Sequence, residues 1–594
     1  MYYFNNITHT QILKENNQVV QENLKPLHIS VLRNIMVEPQ GVFTKFLLNK
    51  IGFTPVFSYG NYDNIIQDIY AGGDLVNEKT DVVSVYLNLN NFSALKSMVV
   101  SGNQSVIDEE TERIRSFITQ TLEGIRQRTG AIILWHGFEL PLYAAMGIAE
   151  YTSAIEQQQL SIINRLNEFA IQMLTKSGNA YYIDMNAALV RTGAQQFYDK
   201  RYWYIGKSPY SNEAYRAIAG EEFKVIKALK GFTKKCLVLD CDNTLWGGII
   251  GEDGLQGIKL SKSHPGNAFQ DFQREILNLY HKGVIIALCS KNNEEDVWRV
   301  FDEHPDILLK RNHIAAYRIN WNNKATNIRE IAEELNIGID SLVFVDDNDF
   351  EINLVQEMIP EVTCIKVNPE KSYEYPELLA SSGLFDTITI SEEDRKRGEM
   401  YRAESERKKQ VTSFTDLTEY YKSLEMEIDI YEADEANVGR IAQLTQKTNQ
   451  FNLTTRRYTE EDIRKMLNSP DYAVFYLKLK DKFGDLGITG ISILHNKNHT
   501  SEIDSFLLSC RVIGREVENI FLNECIQHAH TKGATQVEAS YIQTRKNGQT
   551  SEFYDKNGFK VVSQEASEKR YAKEIENNSL SSYQLFKSIN THTK

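Results

Sequence analysis

The residues best suited to chemistry lie between positions 240 and 347. The first group, Asp240-Cys241-Asp242-Asn243-Thr244, ends the apolar run Cys236-Leu237-Val238-Leu239. Side chains alternate faces along a strand, so Asp240 and Asp242 point the same way. Two adjacent carboxylates repel, and a divalent cation between them removes that cost. One of the pair can attack phosphorus while the other handles the leaving-group proton. A second polar group, Ser290-Lys291-Asn292, follows the run Ile286–Cys289; its hydroxyl can bond a phosphoryl oxygen. A third, Asp346-Asp347-Asn348, follows Val343-Phe344-Val345 and completes an oxygen-rich site of the kind Mg²⁺ prefers. Lys324 opens the helix before that strand, where its point charge can neutralise phosphoryl oxygens. The candidates are therefore Asp240, Asp242, Ser290 and Lys324 for catalysis, Asp240, Asp242, Asp346 and Asp347 for Mg²⁺, and Thr244 and Asn292 for substrate. A lone acidic pair at a strand end is commonly a solvated turn. The ordered series of acid pair, hydroxyl, lysine and second acid pair points to one phosphoryl-transfer site.

Cys241 sits between the two aspartates, where an acyl thioester could form. Strand alternation turns it away from both, and burial lowers a thiol's thiolate fraction. The alternative is a small buried packing residue.

Three α/β units must position these residues. In residues 1–225, after a polar lead-in over 1–25, candidate strands at His28–Leu32, Val82–Leu87, Ile132–Trp135 and Tyr181–Ile183 alternate with helical stretches such as Ile155–Thr175. Such alternation predicts a parallel, doubly wound sheet. Residues 226–385 form the second unit, with non-alternating apolar strands Cys236–Leu239, Val284–Leu288 and Leu342–Val345 that suit burial on both faces. In such sheets ligands collect beyond the carboxyl ends of the strands, where the polar groups fall. Residues 386–425 are charged and read as a solvated helical connector. Residues 426–594 show two helical patterns, a hairpin near Gly484 and Gly487, a strand Ile503–Leu508, a helix from Gly514 and a strand Gln536–Ala539.

The chain has 594 residues and a formal net charge of −14, from 66 basic and 80 acidic side chains. That balance argues against a general nucleic-acid or anionic-membrane binder. Six cysteines with no CxxC pair, no signal-peptide pattern and no run of about 18 apolar residues lead to a cytoplasmic expectation, with neither nucleic acid nor membrane as partner.

The series Asp240/Asp242, Ser290, Lys324 and Asp346/Asp347 resembles the four motifs of the haloacid dehalogenase (HAD) superfamily. The longer string Asp240–Gly254, with Trp246, Gly247 and Gly248, resembles the FkbH-like branch, subfamily IIIC, as does Thr445–Arg456. Asp349 departs from the proline that often follows the third motif there. Ser290 follows Asp240 by 50 residues and Lys324 follows Ser290 by 34, too little in either gap for a separate cap domain. Residues 27–215 resemble the SGNH-hydrolase-like domain found before some FkbH-like units, through His28–Pro39. Arg33-Asn34 stands where a hydrolase of that fold carries its serine, and no histidine occurs between His136 and His264. The expectation is a non-hydrolytic three-layer domain in which Arg33 and Asn34 bind an anionic ligand.

The third unit resembles the GNAT acyltransferase fold, through Arg511-Val-Ile-Gly514-Arg-Glu516 and Tyr554–Phe559. Arg511 and Gly514 are substrate-binding candidates, and Tyr554 is a possible general acid or a packing residue. Glu516 stands where a pyrophosphate would sit, which favours a pantetheine arm over acetyl-CoA. Together the resemblances imply a multidomain α/β protein with SGNH-like, capless HAD and GNAT-like α+β parts. They imply an Mg²⁺ enzyme that dephosphorylates 1,3-bisphosphoglycerate and passes the glyceryl group to an acyl carrier protein, for polyketide or surface-polysaccharide synthesis. Open alternatives are a plain phosphatase on a sugar phosphate or phosphoprotein, and a non-catalytic scaffold.

Overall fold

Short apolar runs become strands covered on both faces, and that is how the chain builds two parallel sheets. The structure, a computed structural model, describes residues 2–4, 7–19, 24–70, 75–411, 417–544, 546–565, 567–575 and 584–592. The chain divides into two compact units, residues 3–227 and 228–594.

In the first unit, β1 (Lys25–Arg33), β2 (Phe53–Tyr59), β3 (Val82–Tyr86), β4 (Ile132–His136) and β5 (Ala180–Ile183) form one parallel sheet in the order β2-β1-β3-β4-β5. Strands β3 and β4 are buried along their whole length. Helix Gln104–Arg128 packs Ile107, Ile114, Ile118, Leu122 and Ile125 into this core at helical spacing. The lead-in differs from expectation: Thr8 and Gln11 form a capping box that starts helix His9–Gln18, which buries Ile12.

The second unit holds two sheets. Strands β6 (Cys236–Leu239), β7 (Ile285–Ser290), β8 (Ile314–Ile319), β9 (Leu342–Asp346) and β10 (Thr363–Lys366) are parallel in the order β10-β9-β6-β7-β8. The winding direction reverses at β6, which opens a crevice at its carboxyl end. The other sheet is mainly antiparallel and runs β17-β18-β16-β15-β14-β13-β11-β19, with β12 paired to β15. Its strands are β11 (Glu427–Glu432), β12 (Phe451–Asn452), β13 (Tyr472–Asp481), β14 (Gly484–Lys497), β15 (Thr500–Leu508), β16 (Gln536–Ile542), β17 (Lys560–Gln564), β18 (Glu568–Glu574) and β19 (Ser588–His592). The chain is thus a multidomain α/β protein with two parallel Rossmann-like sheets and a third, mixed sheet.

The connector is less solvated than its charge implied. Helix Arg397–Val411 places Tyr401 in the core of the parallel sheet and buries Arg407 against Asp481, 2.7 Å away and without exposure. Charged residues are buried here because each finds an opposite charge, which hydrophobic patterning cannot register. Among the described residues no helix is long and apolar enough to cross a membrane.

Candidate active site

Strand β6 ends at Leu239 and the chain tightens into a turn. Leu245 N–H donates to the Cys241 carbonyl at 2.8 Å, and Asn243 takes a left-handed φ of 54°. The Asn243 side chain accepts from Gly248 N–H at 2.9 Å, and Tyr375 donates to its carbonyl at 3.0 Å. This loop aims Asp240 and Asp242 past the end of the sheet.

Carboxylate oxygens of Asp240, Asp346 and Asp347 lie within 4.8 Å of one another. Lys324 Nζ reaches Asp240 Oδ1 at 2.9 Å and Asp346 Oδ2 at 2.6 Å, and lysine and both aspartates are buried. Burial, and next the negative charge of Asp240, push Asp346 up to about 7 and Asp347 up to about 6. Despite its burial Lys324 is held above its ordinary range by Asp240 and Asp346. Three close carboxylates against one ammonium leave negative charge in excess, and an all-oxygen donor set of this kind fits a hard divalent cation.

Asp242 stands apart from that trio. Its Oδ1 accepts from Trp246 Nε1 at 2.8 Å and Ile250 N–H at 3.1 Å, and its Oδ2 from Asn292 Nδ2 at 3.0 Å. Donors on both oxygens fix the carboxylate in place of a metal contact. Burial nevertheless raises its pKa, more than these donors lower it. Asn292 also donates to Ser290 Oγ at 3.1 Å, so β7 delivers its two polar residues as one unit. Thr244 is fully buried and its hydroxyl has no protein partner. Cys241 is fully buried, and burial holds its thiol well above the usual range, far from thiolate. The structure therefore brings Asp240, Asp242, Ser290, Asn292, Lys324, Asp346 and Asp347 to one crevice. It also reveals Trp246 as the residue that orients Asp242; its place four residues after Asp242 was visible in the sequence, its contact was not.

The other candidates are placed elsewhere. In the first unit Arg33 donates to the Gly60 carbonyl at 3.1 Å and pairs with Glu38 at 2.6 Å. Asn34 exchanges hydrogen bonds with the Asn88 backbone at 3.0 and 2.7 Å. Both thus hold loops together in a buried setting. His136 is likewise buried, with Glu222 at 3.0 Å.

In the third sheet Gly514 has a φ of 78° and accepts from Tyr421 at 2.7 Å, while Arg511 is buried beside Ser509. Glu516, expected to face a phosphate, accepts from Asn519 at 2.6 Å. Glu518 instead lies in the first turn of helix Val517–Thr531, with its Oε2 buried and lacking a protein partner; burial, and after it Glu516, push it up to about 7. Strands β15 and β16 pair only over Thr500–Ile503 and Gln536–Ala539. Beyond that the chain's own Leu453 bridges them, donating to the Phe506 carbonyl at 3.1 Å and accepting from Ile542 N–H at 2.8 Å. Tyr554 is 1% exposed, packed among Phe553, Phe559 and Tyr571, with no protein partner for its hydroxyl.

No protein-family model and no curated protein matches the chain. Among solved structures it is similar to the N-terminal part of the protein BF1531 from Bacteroides fragilis, described as containing a phosphatase domain complexed with Mg. That likeness has 26% identity and a TM-score of 0.57, and covers 64% of this chain and 100% of that one. The ribosomal-protein-S18-alanine N-acetyltransferase from Escherichia coli is similar at 10% identity and a TM-score of 0.21, over 26% of this chain and 97% of its own. The PaiA N-acetyltransferase from Thermoplasma acidophilum, solved with coenzyme A, is similar at 17% identity and a TM-score of 0.19, over 25% of this chain and 99% of its own.

Proposed function

We propose that this chain is a Mg²⁺-dependent phosphoryl-transfer enzyme of HAD type in which Asp240 is the nucleophile. The observation that carries the reading is the convergence of Asp240, Asp346 and Asp347 on one point, with Lys324 bridging two of them. The Mg-bound phosphatase-domain structure supports it. Asp240, Asp346 and Asp347 would hold the ion, which supplies charge neutralisation for the phosphoryl oxygens. Lys324 holds Asp240 Oδ1, which leaves Oδ2 to attack phosphorus. The phosphorus–oxygen bond to the leaving group breaks as the aspartyl phosphate forms. Asp242, its proton affinity raised by burial, gives its proton to the departing oxygen. It then takes a proton from the water that releases phosphate. Ser290 and Asn292 bind phosphoryl oxygens, and Lys324 neutralises charge gathering there.

The finer reading is the FkbH-like one. The enzyme removes the C3 phosphate of 1,3-bisphosphoglycerate through Asp240, and the pantetheine thiol of a carrier protein attacks the C1 acyl carbon, which breaks the C–O bond to the second phosphate, expels it and gives the glyceryl thioester. The motif spacing, which leaves no room for a cap, supports a large tethered acceptor. Glu518 at the helix start opposes a pyrophosphate more than it opposes the single phosphodiester of a pantetheine arm. The test uses 1,3-bisphosphoglycerate, Mg²⁺ and candidate holo carrier proteins, with free phosphate and intact carrier mass read in parallel. Phosphate release with a carrier heavier by one glyceryl unit supports transfer. Phosphate release with no mass gain leaves a phosphatase, the second reading, and no release with any phosphorylated substrate overturns both.

A further inference from the structure

Helix Val438–Lys447 carries Arg440, Gln443 and Lys447 at spacings of three and four, so they share a face. That face meets the connector residues Ser391, Asp394 and Arg397 and lies near the turn Ser509–Arg511 after β15. Positive charge exceeds negative here. Arg397 and Lys447 both pair with one buried carboxylate, Asp394. Asp394 also accepts from Gln443 Nε2 at 2.6 Å and from Ser391 at 3.1 Å, so its oxygens are saturated. Arg440 donates to Gln443 Oε1, and its Nε is buried without a protein partner. Arg511 is 7% exposed and donates to Ser509 Oγ at 3.1 Å and to the Met400 sulfur, a weak acceptor. Among the described residues neither Arg440 nor Arg511 has a carboxylate within 4.0 Å. Burial, and then mutual repulsion with each other and with Arg397, push Arg440 down to about 10; burial lowers Arg511 as well.

Buried cations without counter-ions are costly, and a bound anion removes that cost. Arg397, Arg440, Lys447 and Arg511 face Asp394 and, beyond direct pairing distance, Glu393, whose charge acts on both Arg440 and Arg511; positive charge still exceeds negative, and the planar guanidinium forks match the oxygens of phosphate. On a chain of net charge −14 such a concentration of cations is local and specific. We propose that Arg440 and Arg511, backed by Arg397 and Lys447, bind a doubly charged phosphate group, at residues distinct from those around Asp240. The site is independent of the proposed phosphoryl transfer.

The test is titration of the full chain in EDTA with inorganic phosphate, against chloride at equal ionic strength, reading Tm. A saturable rise in Tm is expected, unchanged in Lys324→Ala and weakened about tenfold or more in Arg440→Gln. Arg440→Lys keeps the charge but loses the fork, and is the second variant if the first does not fold; it too should weaken binding. A parallel titration with phenylphosphonate separates sources: tighter binding than phosphate points to an esterified phosphate, weaker binding to the free ion. The proposal is overturned by no rise beyond chloride, by an equal rise in both Arg440 variants, or by loss of the rise in Lys324→Ala.

Discussion

Asp242 shows how a side chain grouped with the acidic residues in sequence is held apart from them by its neighbours. Trp246, Ile250 and Asn292 occupy both its oxygens, while Asp240 is left with Lys324 and the acidic trio. Asp240→Asn should abolish phosphate release, because an amide cannot form the aspartyl phosphate; circular dichroism should show an unchanged fold. Full activity of that variant would reject the nucleophile. Trp246→Phe keeps the ring and removes one donor to a charged group, worth about 1.5–3 kcal/mol, so kcat should fall about 10- to 100-fold. KM should change little and the basic limb of the pH–rate profile, set by loss of the Asp242 proton, should move to higher pH because a donor to its carboxylate is gone; an unchanged profile would make Trp246 a packing residue only. The aspartates, Ser290 and Lys324 were legible because chemically distinctive types follow apolar runs in a fixed order. The hydrogen bonds that hold Asp242 were not, since one comes from Asn292, 50 residues beyond Asp242 in sequence. Glu518 was missed for a related reason: within a helix it reads as an ordinary surface residue, and only the fold buries its carboxylate near Glu516.

Elements in the middle of the parallel sheets were readable, whereas of the four strands at the margins only β5 was, from Tyr181–Ile183. Cys236–Leu239 is β6 as expected from its unbroken apolar run, whereas β2, β8 and β10 were not foreseen, and all three are edge strands. An edge strand is covered less fully, so its sequence mixes polar residues with apolar ones, as Phe53–Tyr59 does. The connector's burial was hidden in the same way, by charges that are neutralised in space. Asp481 joins Arg407 at 2.7 Å and Arg515 at 3.3 Å, tying the connector helix and the Gly514 turn to the β13–β14 hairpin. Asp481→Asn removes the buried carboxylate that Arg407 and Arg515 share and should cost about 3–5 kcal/mol in urea unfolding. A loss below about 1 kcal/mol would mean that packing alone holds the connector. Glu518 offers a pH test at the same level. Its folded pKa, about 7, lies above the unfolded value, so the folded chain binds the extra proton between them. Its contribution is present in full below the unfolded pKa and is lost as pH rises through about 7. Glu518→Gln should therefore raise Tm at pH 8 relative to the parent chain and flatten the decline between pH 5 and 8. Parallel Tm profiles for the two proteins would refute the assignment.

At the scale of the molecule, residues 228–594 contain both the carboxylate cluster and the mixed sheet in one compact unit. Contacts between the two sheets' segments are direct: Asn336 Nδ2 donates to the Cys510 carbonyl at 2.6 Å, and Lys546 pairs with Asp340 at 2.5 Å. A ligand seated at Asp240 should then stabilise the mixed sheet as well as its own, whereas residues 3–227 form a separate unit with its own core. Binding to the native state alone adds RT ln(1 + [L]/Kd), about 2.7 kcal/mol at a hundredfold excess over Kd. Scanning calorimetry of the full chain should show two transitions. Mg²⁺ with orthovanadate should raise only the one that hydrogen exchange assigns to residues 228–594. Within that transition the amides of β13–β15 should gain protection together with those of β6–β9. Asp240→Asn should lose both effects. If protection rises around β6–β9 while β13–β15 exchange as before, the two sheets are energetically separate, and ligand at Asp240 does not reach the mixed sheet.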